Sequence, residues 1–424
     1  MEVIMSCVDE IASIAECEWV DVKTELDKTD RTIYLHNSDR TAFKRCRRKW
    51  DFSSPFRKNL RTKVENHKPF WFGSAIHFAF EDFHGYNRFG SLNAAFDAYI
   101  NSFNPADLPD DIDELKELGH DMLDHYGSWI FTLEDRFETV WIDGVPQVEV
   151  TFDLLFEDLT ELAPEGTKIA YGGTFDRVVQ DKDGKWYILD YKTAKVFDTA
   201  KLPTDQQISA YLWAAEQIYQ REFEGFVYVQ LHKSPPKPPK LLKSGKLSTA
   251  KLQRTTKMLY LRKLQEVYGY EDYLFKASKE ELDYLLNLDK EYNESQTLEQ
   301  FGDCGLLVSI VHRSQTHIEN TYDHIIAEGK EMINPDLPIY PNFTKDCSWD
   351  CQFKDACLAL EDVGDCSFYM DGYEQREEDN DNDVKPWRLN LYRQHPDKYP
   401  EEQYRFKTSN DLEEFILSTK EIKI

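Results

Sequence analysis

Apolar residues recur at helical spacing over much of the chain. Ile76, Phe80 and Phe83 follow this spacing within residues 73–84, and helical character continues to about Tyr126. Residues at i, i+3, i+4 and i+7 lie on one side of an α-helix, so each such stretch predicts a helix with one buried face. The same reasoning predicts further helices over about 33–50, 205–219, 248–268, 279–295 and 314–332.

The middle of the chain changes to the period-two pattern of strands. Apolar and polar residues alternate over 148–154, which predicts a strand with one buried face. Two more strands are predicted at 169–180 and 185–191, and the residues between them, 181–184, have the composition of a hairpin turn. A fourth strand, at 226–231, follows the next helix. The order strand, hairpin, helix, strand predicts a mixed central sheet with helices packed on it, and so an α/β fold.

The most informative feature of the composition is its charge. Of the 424 residues 41% are hydrophobic, enough to bury a core, and no apolar run reaches the roughly 20 residues that cross a bilayer. With 51 Lys and Arg against 78 Asp and Glu, the net charge is −27, which argues against a general nucleic-acid coating protein. Yet five of the six residues 44–49 are basic, and residues 233–257 hold eight Lys or Arg and no acid. These stretches are either solvated faces or, as we favour in so acidic a chain, contacts to DNA.

The start of the chain and the cysteines indicate the cellular compartment in which the protein works. Residues 1–30 are acidic and predict a poorly anchored arm, without the basic start and unbroken apolar core of a signal peptide, so we expect a cytoplasmic protein. Thiols stay reduced there, and clustered cysteines then indicate metal binding rather than disulfides. Three of the eight cysteines fall within eleven residues, at Cys347, Cys351 and Cys357.

The strongest candidate chemistry lies on the predicted hairpin. Asp190 and Lys192 are two apart on a strand, so both side chains leave the same face, while Leu189 and Tyr191 leave the other. Asp176, on the antiparallel neighbour, can reach the same place. Two carboxylates suit a hard divalent cation that could generate hydroxide, and the lysine beside them could hold a phosphate. Taken alone, Asp190 and Lys192 could also belong to a solvated strand face.

Four motifs, in order along the chain, resemble those of the PD-(D/E)xK nuclease superfamily. They are Gly73-Ser-Ala-Ile-His77, Asp176, Asp190-Tyr-Lys192 and Gln207-Ile-Ser-Ala-Tyr211. The first and last narrow the resemblance to the RecB-like branch, which includes AddB-type and CRISPR-associated adaptation nucleases. It covers about residues 33–360, and it departs from the usual pattern where Phe175 replaces the proline before the first acid.

The resemblance implies a metal site. His77, Asp176, Asp190 and the carbonyl of Tyr191 would bind Mg²⁺ or Mn²⁺. Glu149, on the preceding strand, is a secondary candidate, because acids at that place join the site in some relatives.

The resemblance also implies how the substrate is handled. Lys192 would position or activate the attacking water and stabilise charge that develops on the phosphate. Gln207 and Tyr211 would orient the site and contact DNA. The expected activity is hydrolysis of DNA phosphodiester bonds, preferably as an exonuclease on single-stranded ends, in recombination, repair or spacer capture in a prokaryotic or phage-infected cell.

The cysteines add a second part to the resemblance. Several RecB-like nucleases hold a [4Fe–4S] cluster with three late cysteines and one early one, which here would be Cys347, Cys351, Cys357 and Cys46. Four thiolates suit such a cluster. The first late spacing is x₃ rather than the usual x₂, and a Cys₄ zinc site tolerates this spacing, so zinc stays open as the alternative.

The expected organisation follows from these assignments. We predict an arm at 1–30, a nuclease domain at 31–368 with a helical insertion at about 240–300, and an acidic tail at 369–424. The expected partners are DNA with free or single-stranded ends and a helicase or recombination protein, without a membrane. The alternatives are a catalytically silent DNA-end-binding or scaffold subunit and a restriction-type endonuclease.

Overall fold

A computed structural model describes residues 31–63, 68–105, 108–134, 136–293, 299–348 and 351–376, and seven positions between 388 and 399. The predicted arm at 1–30 lies outside the described residues, as does most of the predicted tail. No helix in the described part of the chain has the length and apolar character that a membrane span needs.

Helices and strands follow one another along the chain, often in runs of one type. The helices are α1 Asn37–Arg45, α2 Arg47–Ser53, α3 Lys68–His84, α4 Leu92–Asn101, α5 Ile112–Glu134, α6 Glu157–Thr160, α7 Gln206–Tyr219, α8 Lys257–Tyr268, α9 Tyr273–Lys276, α10 Lys279–Asn287, α11 Gln315–Ile333, α12 Lys354–Val363 and α13 Ser367–Met370. The strands are β1 Arg31–Leu35, β2 Leu60–Thr62, β3 Glu138–Thr139, β4 Trp141–Ile142, β5 Val145–Pro146, β6 Val148–Leu155, β7 Thr167–Gln180, β8 Trp186–Ala194, β9 Gly225–His232, β10 Glu299–Gly302, β11 Leu306–Val311 and β12 Tyr373–Gln375.

The chain forms two compact units. Unit 1 comprises residues 1–66, 151–173 and 319–379, and unit 2 comprises 67–150, 174–318 and 380–424.

Unit 1 begins with a strand where a helix was predicted. Residues 31–35 form β1, which pairs in parallel with residues 167–171 of β7. The helical prediction over 33–50 holds only from Asn37, and even there the helix is interrupted at Cys46, whose backbone is extended (φ −161°, ψ 111°). The run Thr-Ile-Tyr at 32–34 has the β-branched and aromatic character of strands, which explains the error.

The basic residues at 44–49 form ion pairs within unit 1. Lys44 contacts Glu328 at 2.8 Å and Arg45 contacts Asp346 at 2.8 Å. Arg47 likewise pairs with Glu331. These contacts give the basic stretch a structural role that sequence alone did not reveal, because its acidic partners lie 284 to 301 residues further on. Its contact with DNA stays a prediction.

The start of the predicted tail belongs to unit 1. Residues 373–375 form β12, which pairs with β2 in antiparallel fashion. The Tyr373 ring stacks on Phe353, whose side chain is fully buried in a small core with Phe52 and Cys357. A tail that begins at residue 369 is therefore wrong for this part of the chain.

Unit 2 contains the predicted mixed sheet. Residues 177–180 of β7 pair with β8 in antiparallel fashion, β8 pairs with β9 in parallel, and β11 lies antiparallel between β9 and β10. The predicted strands at 169–180, 185–191 and 226–231 and the helix at 205–219 are confirmed to within three residues at each end. The strand β11 was missed, although its run Leu-Leu-Val-Ser-Ile-Val is buried throughout, as in the centre of a sheet.

The helices α3, α4 and α5 cover the sheet of unit 2 with a continuous apolar core. Phe80, Phe96 and Tyr126 are buried in it, as are Leu391 and Tyr399 from the C-terminal part of the chain. These last two residues lie in the predicted acidic tail, so the tail assignment is also wrong for this segment.

The region between β9 and β10 contains short helices around a core of their own. Tyr260, Leu264 and Leu285 are buried there. The helix predicted over 248–268 begins only at Lys257, because Thr256 caps it by accepting a hydrogen bond from the Leu259 amide.

Candidate metal-binding active site

The candidate site begins where the antiparallel ladder of β7 and β8 ends. The backbone pairing stops at Arg177 and Leu189, while β8 continues in parallel with β9 as far as Ala194. Beyond the ladder, the amide of Tyr191 donates to the side chain of Asp176 instead, Oδ2 lying 2.7 Å away. β7 and β8 therefore separate at this point, and the backbone pairing of β8 with β7 ends at Leu189.

Asp190 and Lys192 leave the same face of β8, as predicted. Lys192 Nζ lies 2.7 Å from both carboxylate oxygens of Asp190 and donates a hydrogen bond to Oδ1. The Asp190 side chain is only 4% exposed. Its Oδ2 is buried against the Lys192 ammonium group.

His77 and Glu149 complete the group around Asp176. His77 Nδ1 lies 3.4 Å from Asp176 Oδ2 and 3.6 Å from Glu149 Oε1. One ligand atom of each of the three residues lies within 4.8 Å of the others, close enough to share one ion. Imidazole nitrogen and carboxylate oxygens are ligands that Mn²⁺ and Mg²⁺ accept.

The charges of this group are mutually dependent. Burial raises the pKa of Asp190 to about 6, and the charge of Asp176 adds to the effect while Lys192 opposes it. Burial also raises the pKa of Glu149. Although burial acts to lower it, the pKa of His77 is raised well above its usual value by Asp176 and Glu149. Without a bound metal ion, His77 is therefore protonated, and its positive charge offsets the charge of the neighbouring carboxylates.

Lys192 stays protonated in this environment. Burial acts to lower its pKa, but the neighbouring charges of Asp190 and Asp176 raise it above the usual value. Its side chain is 38% exposed, so the ammonium group is both fixed by Asp190 and open to an incoming anion.

Gln207 and Tyr211 lie one turn apart on α7, and their side chains form a hydrogen bond. The side chain of Gln207 hydrogen-bonds to the Tyr211 phenol, and the Tyr211 ring packs edge-on against Phe175 at 5.4 Å. Burial raises the pKa of Tyr211 to about 12, with contributions from the charges of Asp190 and Asp176. Tyr211 is thus close enough to these carboxylates for their charges to act on it, and Gln207 lies beside Tyr211.

A buried polar network holds the Tyr191 side chain on the opposite face of β8. Its hydroxyl lies 3.1 Å from that of Tyr126, which in turn lies 2.7 Å from His84 Nε2. Arg177 donates to the Tyr191 hydroxyl at 3.4 Å and to Thr139 at 2.8 Å. Burial and the charge of Arg177 lower the pKa of His84 well below its usual value, so the imidazole is neutral. The network lies on the face of β8 opposite Asp190 and Lys192, and it fixes the backbone that carries these two residues.

Sequence reasoning did not identify the buried network of His84, Tyr126 and Arg177. It named His77, Asp176, Asp190 and Lys192 as site residues, with Glu149 as a secondary candidate. Its period-two pattern would place Glu149 on the polar face with Thr151 and Asp153. Instead its backbone adopts a left-handed conformation (φ 46°), which breaks the alternation at the start of β6 and directs the carboxylate to His77. A left-handed residue that is not glycine costs energy and is found preferentially at functional sites.

The backbone conformation of Glu149 leads to a first prediction. In EDTA, Glu149→Gly is expected to be more stable than Glu149→Ala by about 1 kcal/mol, because only glycine adopts positive φ without steric cost. Both variants lose the same carboxylate, so the alanine variant is the matched control, and urea unfolding measures the difference. Equal stability of the two variants, or a more stable alanine variant, would contradict the left-handed backbone at this position.

The four predicted cysteines line one cavity in unit 1. The cavity has a volume of about 60 Å³, and Cys46, Cys347, Cys351 and Cys357 all border it. The break between α1 and α2 lets Cys46 face it. Burial raises the pKa of Cys357 to about 11 and also raises that of Cys351, so these thiols are protonated when no metal is bound.

Backbone amides are directed at two of these sulfurs. The amide of Asn342 donates to Cys46 Sγ at 3.4 Å, and that of Thr344 donates to Cys347 Sγ at 3.5 Å. Two further cysteines lie elsewhere: Cys366 does not border the cavity, and Cys304 is buried in unit 2.

An α/β core that presents carboxylates, a histidine and a lysine where two strands separate is typical of metal-dependent nucleases. The chain belongs to the PD-(D/E)XK nuclease superfamily, whose sequence model matches residues 38–358. No curated protein matches the chain. This match confirms the family and the fold class that the sequence predicted. Members of the superfamily are generally nucleases, and they typically use Mg²⁺ or Mn²⁺.

Proposed function

We propose that the protein is a metal-dependent deoxyribonuclease of the RecB-like branch that degrades single-stranded DNA from its ends. The observation that carries the proposal is that one ligand atom each of His77, Glu149 and Asp176 lies within 4.8 Å of the others, which is close enough to share one ion. An imidazole and two carboxylates held this closely suit a divalent cation. Family membership supports the nuclease chemistry.

The residues present fit a hard divalent cation. His77, Glu149, Asp176, Asp190 and the carbonyl of Tyr191 would hold it. When bound, the cation lowers the pKa of a coordinated water and neutralises charge on the scissile phosphate. The Tyr191 amide, by donating to Asp176 Oδ2, keeps that carboxylate oriented.

Lys192 would act directly on the substrate. Its ammonium group, fixed by Asp190, would donate to a phosphate oxygen and to the attacking water, and so stabilise the negative charge that grows in an in-line displacement. Gln207, held by its bond to Tyr211, would orient the same water or the phosphate. Both groups are placed before the substrate arrives, which reduces the reorganisation needed during the reaction.

The preference for single-stranded ends, and a role in recombination, repair or spacer capture, are carried over from the RecB-like resemblance. The four motifs occur in the order of that branch, and the cysteine pattern is the one its cluster-containing members use. A helicase or recombination protein would be the partner, since no Walker-type Gly-x-x-x-x-Gly-Lys-Ser/Thr motif occurs in the sequence.

We propose that the cysteine cavity holds an iron–sulfur cluster, with a Cys₄ zinc site as the alternative. Four thiolates around zinc, each about 2.3 Å from the ion, lie about 3.8 Å from one another. Among the described residues, no three cysteine sulfurs lie within 4.8 Å of each other. A [4Fe–4S] cluster takes one thiolate at each of four separated irons, and amide hydrogen bonds to its sulfurs tune its potential, as Asn342 and Thr344 would do here.

The proposal predicts which DNA forms are cut. Anaerobically purified protein is expected to shorten end-labelled linear single strands in Mg²⁺ or Mn²⁺, to leave circular single strands intact, and to cut nothing in EDTA. The product ladder and the fate of the circles measure this directly. Cleavage of closed duplex circles at fixed sequences would replace the exonuclease proposal with a restriction-type endonuclease. DNA binding without cleavage in any divalent cation would favour the scaffold alternative.

A further inference from the structure

The loop that connects β9 to α8 carries exposed cations on a fixed backbone. Within it, residues 240–248, which we name the lysine hairpin, close on themselves through a bridge between Leu241 and Leu247. The turn is made by the amide of Leu242 bonding to the Lys246 carbonyl and by Gly245, whose positive φ of 82° favours glycine. The lysine hairpin is therefore an ordered element and not a loose basic tract.

A buried carboxylate anchors the lysine hairpin to the helices that follow it. Glu281 on α10 is 1% exposed and accepts a hydrogen bond from the Leu247 amide at 2.8 Å. It also accepts from the Tyr268 hydroxyl at 2.9 Å, and that hydroxyl lies 3.3 Å from the Gly245 carbonyl. Burial acts to raise the pKa of Glu281, but these and other hydrogen bonds lower it, so the carboxylate stays charged.

The lysines of this region are exposed and have no carboxylate partner among the described residues. Three of them lie on the lysine hairpin itself, at Lys240, Lys243 and Lys246, and Lys237 and Lys251 flank it. In contrast, Lys263 and Lys276 on the adjoining helices form ion pairs with Glu266 and Asp272, each at 2.7 Å. In a chain of net charge −27, an acid-free cluster of unpaired lysines has the complementarity for a polyanion.

Further lysines lead from the active site toward this loop. In the register of β8 and β9, Lys192 lies opposite Gln230, so Lys233 at the start of the loop is three residues, or about 10 Å, further along. The pKa of Lys233 is lowered by burial and by the charge of Lys195. Lys201 lies 5.6 Å from the centre of the ring of Tyr228, a residue of β9. Lys195 directly follows β8, which carries Lys192, and Lys233 directly follows β9, so both lysines lie at the carboxyl ends of these strands.

We infer that the lysine hairpin binds the phosphate backbone of the DNA strand whose scissile bond lies at the metal site. The inference rests on the proposed nuclease function and adds the surface that guides the strand. Lysine suits this task because its flexible stem presents a point charge to phosphates without reading sequence. Each phosphate that a lysine neutralises releases counterions. The number of lysines that contact phosphates therefore sets how steeply the binding constant falls with salt concentration.

The test is a salt series with full-length protein and a fluorescein-labelled oligothymidylate in EDTA, where no cleavage occurs. The variant replaces three hairpin lysines by glutamine: Lys240→Gln, Lys243→Gln and Lys246→Gln. The slope of log Kobs against log[salt] is expected to become less steep by about 2, since a single strand contributes about 0.7 for each cation lost. Binding at about 50 mM salt should weaken by about tenfold or more.

A control variant with the same change of net charge separates local contact from overall charge. It replaces three lysines of unit 2 that are ion-paired in the structure: Lys185→Gln, Lys263→Gln and Lys276→Gln. The control is expected to keep the wild-type slope. A hairpin variant with the wild-type slope, or a control that loses as much as the hairpin variant, would overturn the inference. Cleavage of DNA by the wild-type protein in Mg²⁺ tests the nuclease function separately, so the two failures are distinguishable.

Discussion

Replacing Lys192 by methionine is expected to slow DNA cleavage by about 10²–10³-fold, the usual cost of removing one group that stabilises charge in the transition state. Methionine keeps much of the length of the side chain but removes the ammonium group that Asp190 fixes at 2.7 Å. The fold should persist, because Asp190 can take up a proton: burial already raises its pKa to about 6, and loss of the lysine charge raises it further.

Single-turnover cleavage of an end-labelled strand at saturating protein measures this effect on the chemical step. Lys185→Met is the matched control, since Lys185 lies just before β8 and pairs with Glu224 at 2.8 Å on the surface. Thermal unfolding of both variants shows whether the fold is kept. A Lys192→Met protein that is folded and cuts at the wild-type rate would remove Lys192 from the mechanism.

Replacing Cys351 by serine is expected to abolish cluster binding and to destabilise unit 1. Serine is a poor ligand for iron, and a cluster that joins Cys46 to three cysteines more than 300 residues later should contribute strongly to the stability of this unit, as structural metal sites do. Iron and acid-labile sulfide, determined on protein purified without oxygen, should be present in the wild type and nearly absent from the variant. Thermal unfolding should occur at a lower temperature.

Cys366→Ser provides the control for the cysteine site. Cys366 also lies in unit 1, but it does not border the cavity, so its variant should retain iron and stability. Zinc in place of iron in the wild type would replace the cluster by the Cys₄ alternative. Absence of any metal from freshly purified wild-type protein would contradict a metal site at these cysteines.

The part of the site that sequence predicted well depends on local geometry. Asp190 and Lys192 share a face because side chains alternate along any strand, and the turn at 181–184 returns the chain so that Asp176 meets them. His77 and Tyr211 could be placed only through the motifs of the family, since nothing in their local pattern shows which strand their helices pack on.

The parts that sequence did not predict depend on tertiary contacts or on irregular backbone. The turn of Glu149 into the site requires a left-handed residue inside a strand, which a period-two pattern cannot indicate. The interruption at Cys46 likewise lies within a segment of good helix formers. The basic residues 44–49 suggested a DNA surface because their partners, such as Glu328 and Asp346, are distant in sequence.

We propose that the carboxylates around His77 and Asp176 form a catalytic metal site. The most direct test is cleavage of an end-labelled linear single strand by the wild-type chain and by its Asp190→Asn variant, which keeps the size of the side chain but removes the charge. The wild type is expected to cut in Mg²⁺ or Mn²⁺ and not in EDTA, and the folded variant is expected to cut under none of these conditions. Metal-dependent cleavage by Asp190→Asn at the wild-type rate would show that the site does not catalyse the reaction.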